Sequence, residues 1–216
     1  MRRPSAKAAS LLVLAATVIQ LAIASVATGL PQFEGKGFGA RLVFYPILML
    51  LVPTVWWLTQ RRRPAPHDPP WTGFALVMAP FLVDVSGNTL NLYDTVVWWD
   101  DANHFVNWFL VCLGLGLVLG VWSVRPVWVS GVAVVGGGAL LALAWEIGEW
   151  WTFIRHGTEL ATAYEDTLGD MTLGTCGACV AFVVLRLYAN ATAKGLAATS
   201  PASQVQRVGL TPEESS

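Results

Sequence analysis

The chain has 216 residues, of which 55% are apolar and only 12% charged, and its mean hydropathy is +0.55. Soluble domains carry about twice that share of charge, so the long uncharged runs exclude a water-soluble class and place the protein in the membrane class. A formal net charge of −1, with no basic patch, nucleotide-binding loop or serine-protease pattern, leaves no nucleic-acid partner to expect.

The first uncharged run, 8–33, follows Arg2, Arg3 and Lys7. It is long for a cleavable signal and reads as a retained first transmembrane helix. A second run, 42–60, contains Pro46 and Pro53, which neighbouring helices can accommodate as bends. Residues 61–70 are basic and proline-rich, a surface loop. The third run starts at Trp71 and carries Asp84, Asn88 and Asn91 at i, i+4, i+7, one polar helical face directed at the bundle interior. An acidic connection spans Tyr93 to Asn103. The fourth run is 104–124, and the fifth is 127–151, softened by Gly136, Gly137 and Gly138. The sixth is 167–188, with Gly174 and Gly177 on its packing side. Cys112, Cys176 and Cys179 all fall inside apolar runs, so the Cys-x-x-Cys reads as small buried hydrophobes.

The expected fold is therefore all-α: a polytopic bundle of six transmembrane helices in one domain, 1–189, with a disordered cytoplasmic tail over 190–216. Charge sets the orientation. Placing both termini inside puts ten of the 13 Lys and Arg residues on the cytoplasmic side, as the positive-inside rule requires. Trp residues gather near the predicted helix ends, as in an aromatic belt.

In that orientation four helices present ionisable groups near the outer face. Asp84 lies on the third, His104 opens the fourth, Glu146 and Glu149 end the fifth, and Asp166 and Asp170 open the sixth. Asp100 and His104 are i, i+4 and share a face if the helix begins near Trp99. Glu146 and Glu149 are i, i+3, and Asp166 and Asp170 are i, i+4. So many carboxylates in a low-dielectric space must be protonated, solvated or neutralised by a cation. Carboxylates with an imidazole suit Mg²⁺, Mn²⁺, Fe²⁺ or Zn²⁺. The metal ligands expected are Glu146, Glu149, Asp166, Asp170 and Asp84. The catalytic residues expected are His104, Asp100 and Glu146, with His104 as acid/base and Asp100 holding its tautomer. Simpler roles exist for each: helix capping for Asp100, Asp101 and Asp166, an interhelical clamp for Asp84 with Asn88, packing for His104.

The motifs Trp99-Asp100-Asp101-x-x-His104-Phe105, Trp145-Glu146-x-x-Glu149-Trp150 and Asp166-Thr167-x-x-Asp170-Met171, with Gly174 following, resemble the YjdF-like bacterial inner-membrane proteins. More distantly, their order is similar to that of VanZ-like proteins. The resemblance covers about residues 84–177. It implies a multi-pass protein of the bacterial cytoplasmic membrane and, by analogy with VanZ-like proteins, a role at the outer face. Asp101 and Glu149 depart from the usual pattern.

Together these features suggest an embedded, extracytoplasmic acidic site. It would bind a divalent cation and act in hydrolysis or group transfer on a lipid or lipid-linked envelope substrate. The alternatives are a non-catalytic envelope or partner-binding protein, and a proton- or ion-coupled transporter. The inner halves of the helices show no polar through-path for the transporter.

Overall fold

The computed structural model describes residues 5–27, 29–63, 67–152, 154–156 and 158–198. Among them there is no strand. The helices are α1 (Ala6–Val26), α2 (Phe38–Gln60), α3 (Trp71–Thr89), a short α4 (Leu92–Thr95), α5 (Trp99–Leu119), α6 (Val127–Gly131), α7 (Gly137–Thr152) and α8 (Ala163–Ala198). The all-helical class expected from the apolar runs is found.

Among the described residues, five segments are long and apolar enough to cross a membrane: Ala6–Val26, Phe38–Gln60, Trp99–Leu119, Val127–Thr152 and Ala163–Ala193. Six were expected. The remaining one, α3, does form a helix of 19 residues, but Pro80, Asp84 and Asn88 interrupt its apolar run. It lies within the bundle all the same. The packing order is α2, α1, α3, α5, α8, α7, so α3 has α1 on one side and α5 on the other.

Several local expectations change. α3 stops at Thr89, and Asn91 takes a left-handed conformation (φ 57°), which Asn tolerates, beyond its end. Asn91 is therefore not part of the helical face that carries Asp84 and Asn88. α5 begins at Trp99, so His104 sits in its second turn instead of opening it. The fifth run is continuous, but a π-helical turn at Val132–Gly136, which takes in the first of the three glycines, joins α6 to α7. Such turns occur as single insertions in α-helices. α8 runs on to Ala198, past the expected end near Tyr188 and into the segment expected as tail; residues 199–216 lie outside the described residues. Cys112 is buried, whereas Cys176 and Cys179 are exposed on α8, so the latter two face outward and not into the core.

The bundle has two chemically distinct ends. At one, Ser10 donates to the Trp71 carbonyl (2.8 Å), Lys7 lies 5.6 Å from the Trp71 ring, and Arg186 donates to the Trp122 carbonyl (3.0 Å). At the other, Lys36 pairs with Asp94 at 2.8 Å, and the candidate site residues gather.

Between them, small residues set the helix spacing. Lipid tails are as apolar as Leu, so helices in a bilayer associate through close packing and not through hydrophobic expulsion. A Cβ at Gly73 would stand 3.0 Å from the Gly114 carbonyl, and one at Gly114 2.8 Å from that of Gly73, so α3 and α5 touch through their backbones. Gly177 of α8 lies against the Phe105 carbonyl of α5 in the same way. α5 is thereby held tightly between α3 and α8.

Candidate functional site

The site is the top layer of a three-helix stack. Lower down, Gly138 of α7 faces Cys112 of α5 and Ala178 of α8: a Cβ there would meet Cys112 Sγ at 2.7 Å and Ala178 Cβ at 2.6 Å. One turn up, Trp108 lies against Gly174, and Ala142 is fully buried. A further turn up the same three rows come His104, Asp170 and Glu146. Two turns advance about 12 Å along each helix. α5 and α8 run in the same direction and α7 against them, so one register fixes all three side chains at one level.

In that layer both imidazole nitrogens of His104 face carboxylates from other turns or helices. Nε2 is 3.5 Å from Asp170 Oδ2 and 3.8 Å from Asp100 Oδ1, while Nδ1 is 3.6 Å from Glu146 Oε1. His104, Glu146 and Asp170 are buried, with 8%, 3% and 4% of their surface exposed. The Asp100 side chain is half-exposed at 48%. Asp100 and Asp101 lie in the first turn of α5, where negative charge suits the helix N-terminus. Glu149, one turn from Glu146, is partly buried.

Among the described residues, two groups have the composition of a cation site: Asp100, His104 and Asp170, and His104, Glu146 and Glu149. In each, one ligand atom per residue lies within 4.8 Å of the others. The imidazole belongs to both. His104 Nδ1 and Glu146 Oε1 are buried and make no hydrogen bond. Buried polar atoms without hydrogen bonds are costly, and these two face each other at 3.6 Å.

The remaining expected residues lie elsewhere. Asp166 is exposed in the first turn of α8, one turn before Asp170. It belongs to neither group. Asp84 sits in a separate network. Its Oδ2 accepts from Arg41 Nη1 (2.9 Å) and Tyr45 Oη (2.7 Å), and its Oδ1 from Tyr93 Oη (2.9 Å) and Asn88 Nδ2 (3.4 Å). Through Arg41 and Tyr45 of α2 and Tyr93 of α4, Asp84 ties α3 to its neighbours, and it belongs to neither group. Asn103 of α5 in turn donates to Tyr93 Oη, and Asn107 Nδ2 donates to Asn103 Oδ1 (3.3 Å). The network thus reaches the residue next to His104. Arg155 lies over the Trp151 ring, 3.8 Å from its centroid, outside both groups.

Arg41, Tyr45, Tyr93 and Asn103 were missed in the sequence. Arg41 stands at the edge of the apolar run 42–60, and the tyrosines carry no spacing signal. The polar positions of α3 were the available clue, because an embedded carboxylate needs donors from its neighbours.

The family model described as "Predicted membrane protein (DUF2238)" matches residues 9–191. No curated protein matches the chain. No solved structure matches it either.

Proposed function

The chain belongs to the DUF2238 family of predicted membrane proteins, and from that premise we propose that this integral membrane protein carries a divalent-cation site at the outer end of its bundle. The observation that supports this most is the double flanking of His104. One buried imidazole has carboxylates 3.5–3.8 Å from both ring nitrogens, and two of those carboxylates are themselves buried. Two ligand atoms held about 2.1 Å from one tetrahedral ion stand about 3.4 Å apart. The spacing suits an intervening cation better than direct hydrogen bonds, whose usual range ends near 3.2 Å. The ions considered are Mg²⁺, Mn²⁺, Fe²⁺ and Zn²⁺.

The orientation proposed has both termini in the cytoplasm, on the positive-inside count. The end bearing Lys7, Trp71, Trp122 and Arg186 is then the inner one, and the end bearing His104 the outer one. The resemblance to YjdF-like proteins supports the bacterial cytoplasmic membrane as its location. At that depth the substrate class proposed is a lipid or lipid-linked envelope compound. The reaction is hydrolysis or group transfer, in which a bound cation polarises the reacting group or activates water.

Thermal unfolding of the detergent-purified protein, with each of the four cations added in turn, tests the reading. A ligand that binds only the folded state raises its stability. One or more cations should raise the unfolding temperature of the wild type and leave His104→Ala unchanged. No shift in the wild type, or an equal shift in both, would refute it.

A further inference from the structure

We propose that the cation sits on the Nε2 side of His104, held by Asp100, His104 and Asp170, and that Glu146 is a positioning residue that accepts the Nδ1 proton. This rests on the cation-site reading above and divides its residues into separate roles. It also narrows the cation to those that accept imidazole, such as Zn²⁺ or Fe²⁺, over Mg²⁺.

The two sides of the ring differ. On the Nε2 side Asp170 and Asp100 come from different helices, at 3.5 and 3.8 Å. Asp100 is half-exposed, which leaves that side open for water or a reacting group, as a working metal site requires. On the Nδ1 side stands Glu146, the most buried carboxylate of the layer. Its Oε1 and His104 Nδ1 both lack a hydrogen bond among the described residues and are 3.6 Å apart. An approach of about 0.6 Å would bring them to an ordinary N–H···O distance and satisfy both atoms at once. A metal-bound histidine almost always donates its other N–H to a carboxylate, carbonyl or water, which fixes the tautomer and the ring orientation. A proton on Nδ1 leaves the Nε2 lone pair directed between Asp100 and Asp170. The other assignment, a cation on Nδ1 with Glu146 and Glu149, would enclose it on the more buried side of the ring.

The chain has only three histidines, so ¹⁵N-histidine NMR of the purified protein in detergent, titrated with Zn²⁺, reads the ring directly. His67→Gln and His156→Gln leave His104 alone to observe. The expected result is a Zn²⁺-induced shift at His104 Nε2 with Nδ1 protonated. Calorimetric titration should show one site in the wild type, an affinity weaker by about 10–100-fold in Glu146→Gln, and no measurable binding in Asp170→Asn. Zn²⁺ bound with the shift at Nδ1, or at neither nitrogen, would overturn the assignment and leave the cation site standing. Failure of the wild type to bind any of Zn²⁺, Fe²⁺, Mn²⁺ and Mg²⁺ would remove both. The NMR readout uses the native site, so it holds even if a carboxylate variant fails to fold.

Discussion

Arg41 Nη1 donates to Asp84 Oδ2 across 2.9 Å, with the two side chains only 19% and 20% exposed. The pair joins α2 to α3 inside the bundle, and Tyr45 and Tyr93 complete the carboxylate's shell. Removing one partner takes the counter-ion from a charge that is largely shielded from water, a loss of about 3–5 kcal/mol where such a pair is fully buried. Arg41→Met should therefore lower the unfolding temperature sharply. Arg41→Met with Asp84→Leu should lose less than Arg41→Met alone. Equal losses in single and double variants, read by thermal unfolding in detergent, would contradict this role.

Tyr93 links that clamp to α5, because it donates to Asp84 and accepts from Asn103, the neighbour of His104. Burial first, and then the Asp84 charge, push its phenol well above the ordinary value of 10.0. In the unfolded chain Tyr93 ionises near that ordinary value, whereas in the folded protein it keeps its proton. Above it the folded state binds more protons, so stability is complete below pH about 10 and falls as pH rises further. Tyr93→Phe should be less stable at neutral pH by about 1–3 kcal/mol and show a shallower alkaline decline. An unchanged alkaline slope in the variant would argue against the assignment.

Helix spacing depends on Gly177, whose missing side chain lets α8 rest on the Phe105 carbonyl. Gly177→Ala should force α5 and α8 apart, destabilise the protein and weaken cation binding together. Gly137 has open space where a side chain would go, so Gly137→Ala should be neutral or stabilising by about 0.5–1 kcal/mol. Similar effects at the two glycines would show that close packing is not what holds the layer.

Much of this arrangement was legible in the sequence because charge is conspicuous in a long apolar run. Glu146 and Asp170 stood out for that reason, and the i, i+4 spacing of Asp100 and His104 became a shared face once α5 began at Trp99. The register that brings them level was not legible. It comes from glycines and small residues on three helices, and nothing in the chain says which glycine faces which helix. The partners of Asp84 were hidden similarly: Arg41 and Tyr45 lie on a helix 39–43 residues away. Cys176 and Cys179 misled because lipid-facing and buried positions are both apolar, so hydropathy alone does not separate them.

Sidedness has its own test. Single cysteines placed in a cysteine-free background should react with a membrane-impermeant thiol reagent from outside at Asp94 and not at Arg62. The reverse pattern would turn the His104 layer toward the cytoplasm and remove the envelope substrate from consideration.

The proposed cation site rests on α5 and α8 bringing Asp100, His104 and Asp170 together, with Glu146 of α7 behind the imidazole. Elemental analysis of the protein purified without chelator, beside Asp170→Asn prepared in the same way, tests it most directly. The account predicts about one transition-metal ion per chain, the single-site stoichiometry of three facing ligands, in the wild type and a near-complete loss in the variant. Equal metal in both preparations, or none in a folded wild type supplied with metal, would contradict it.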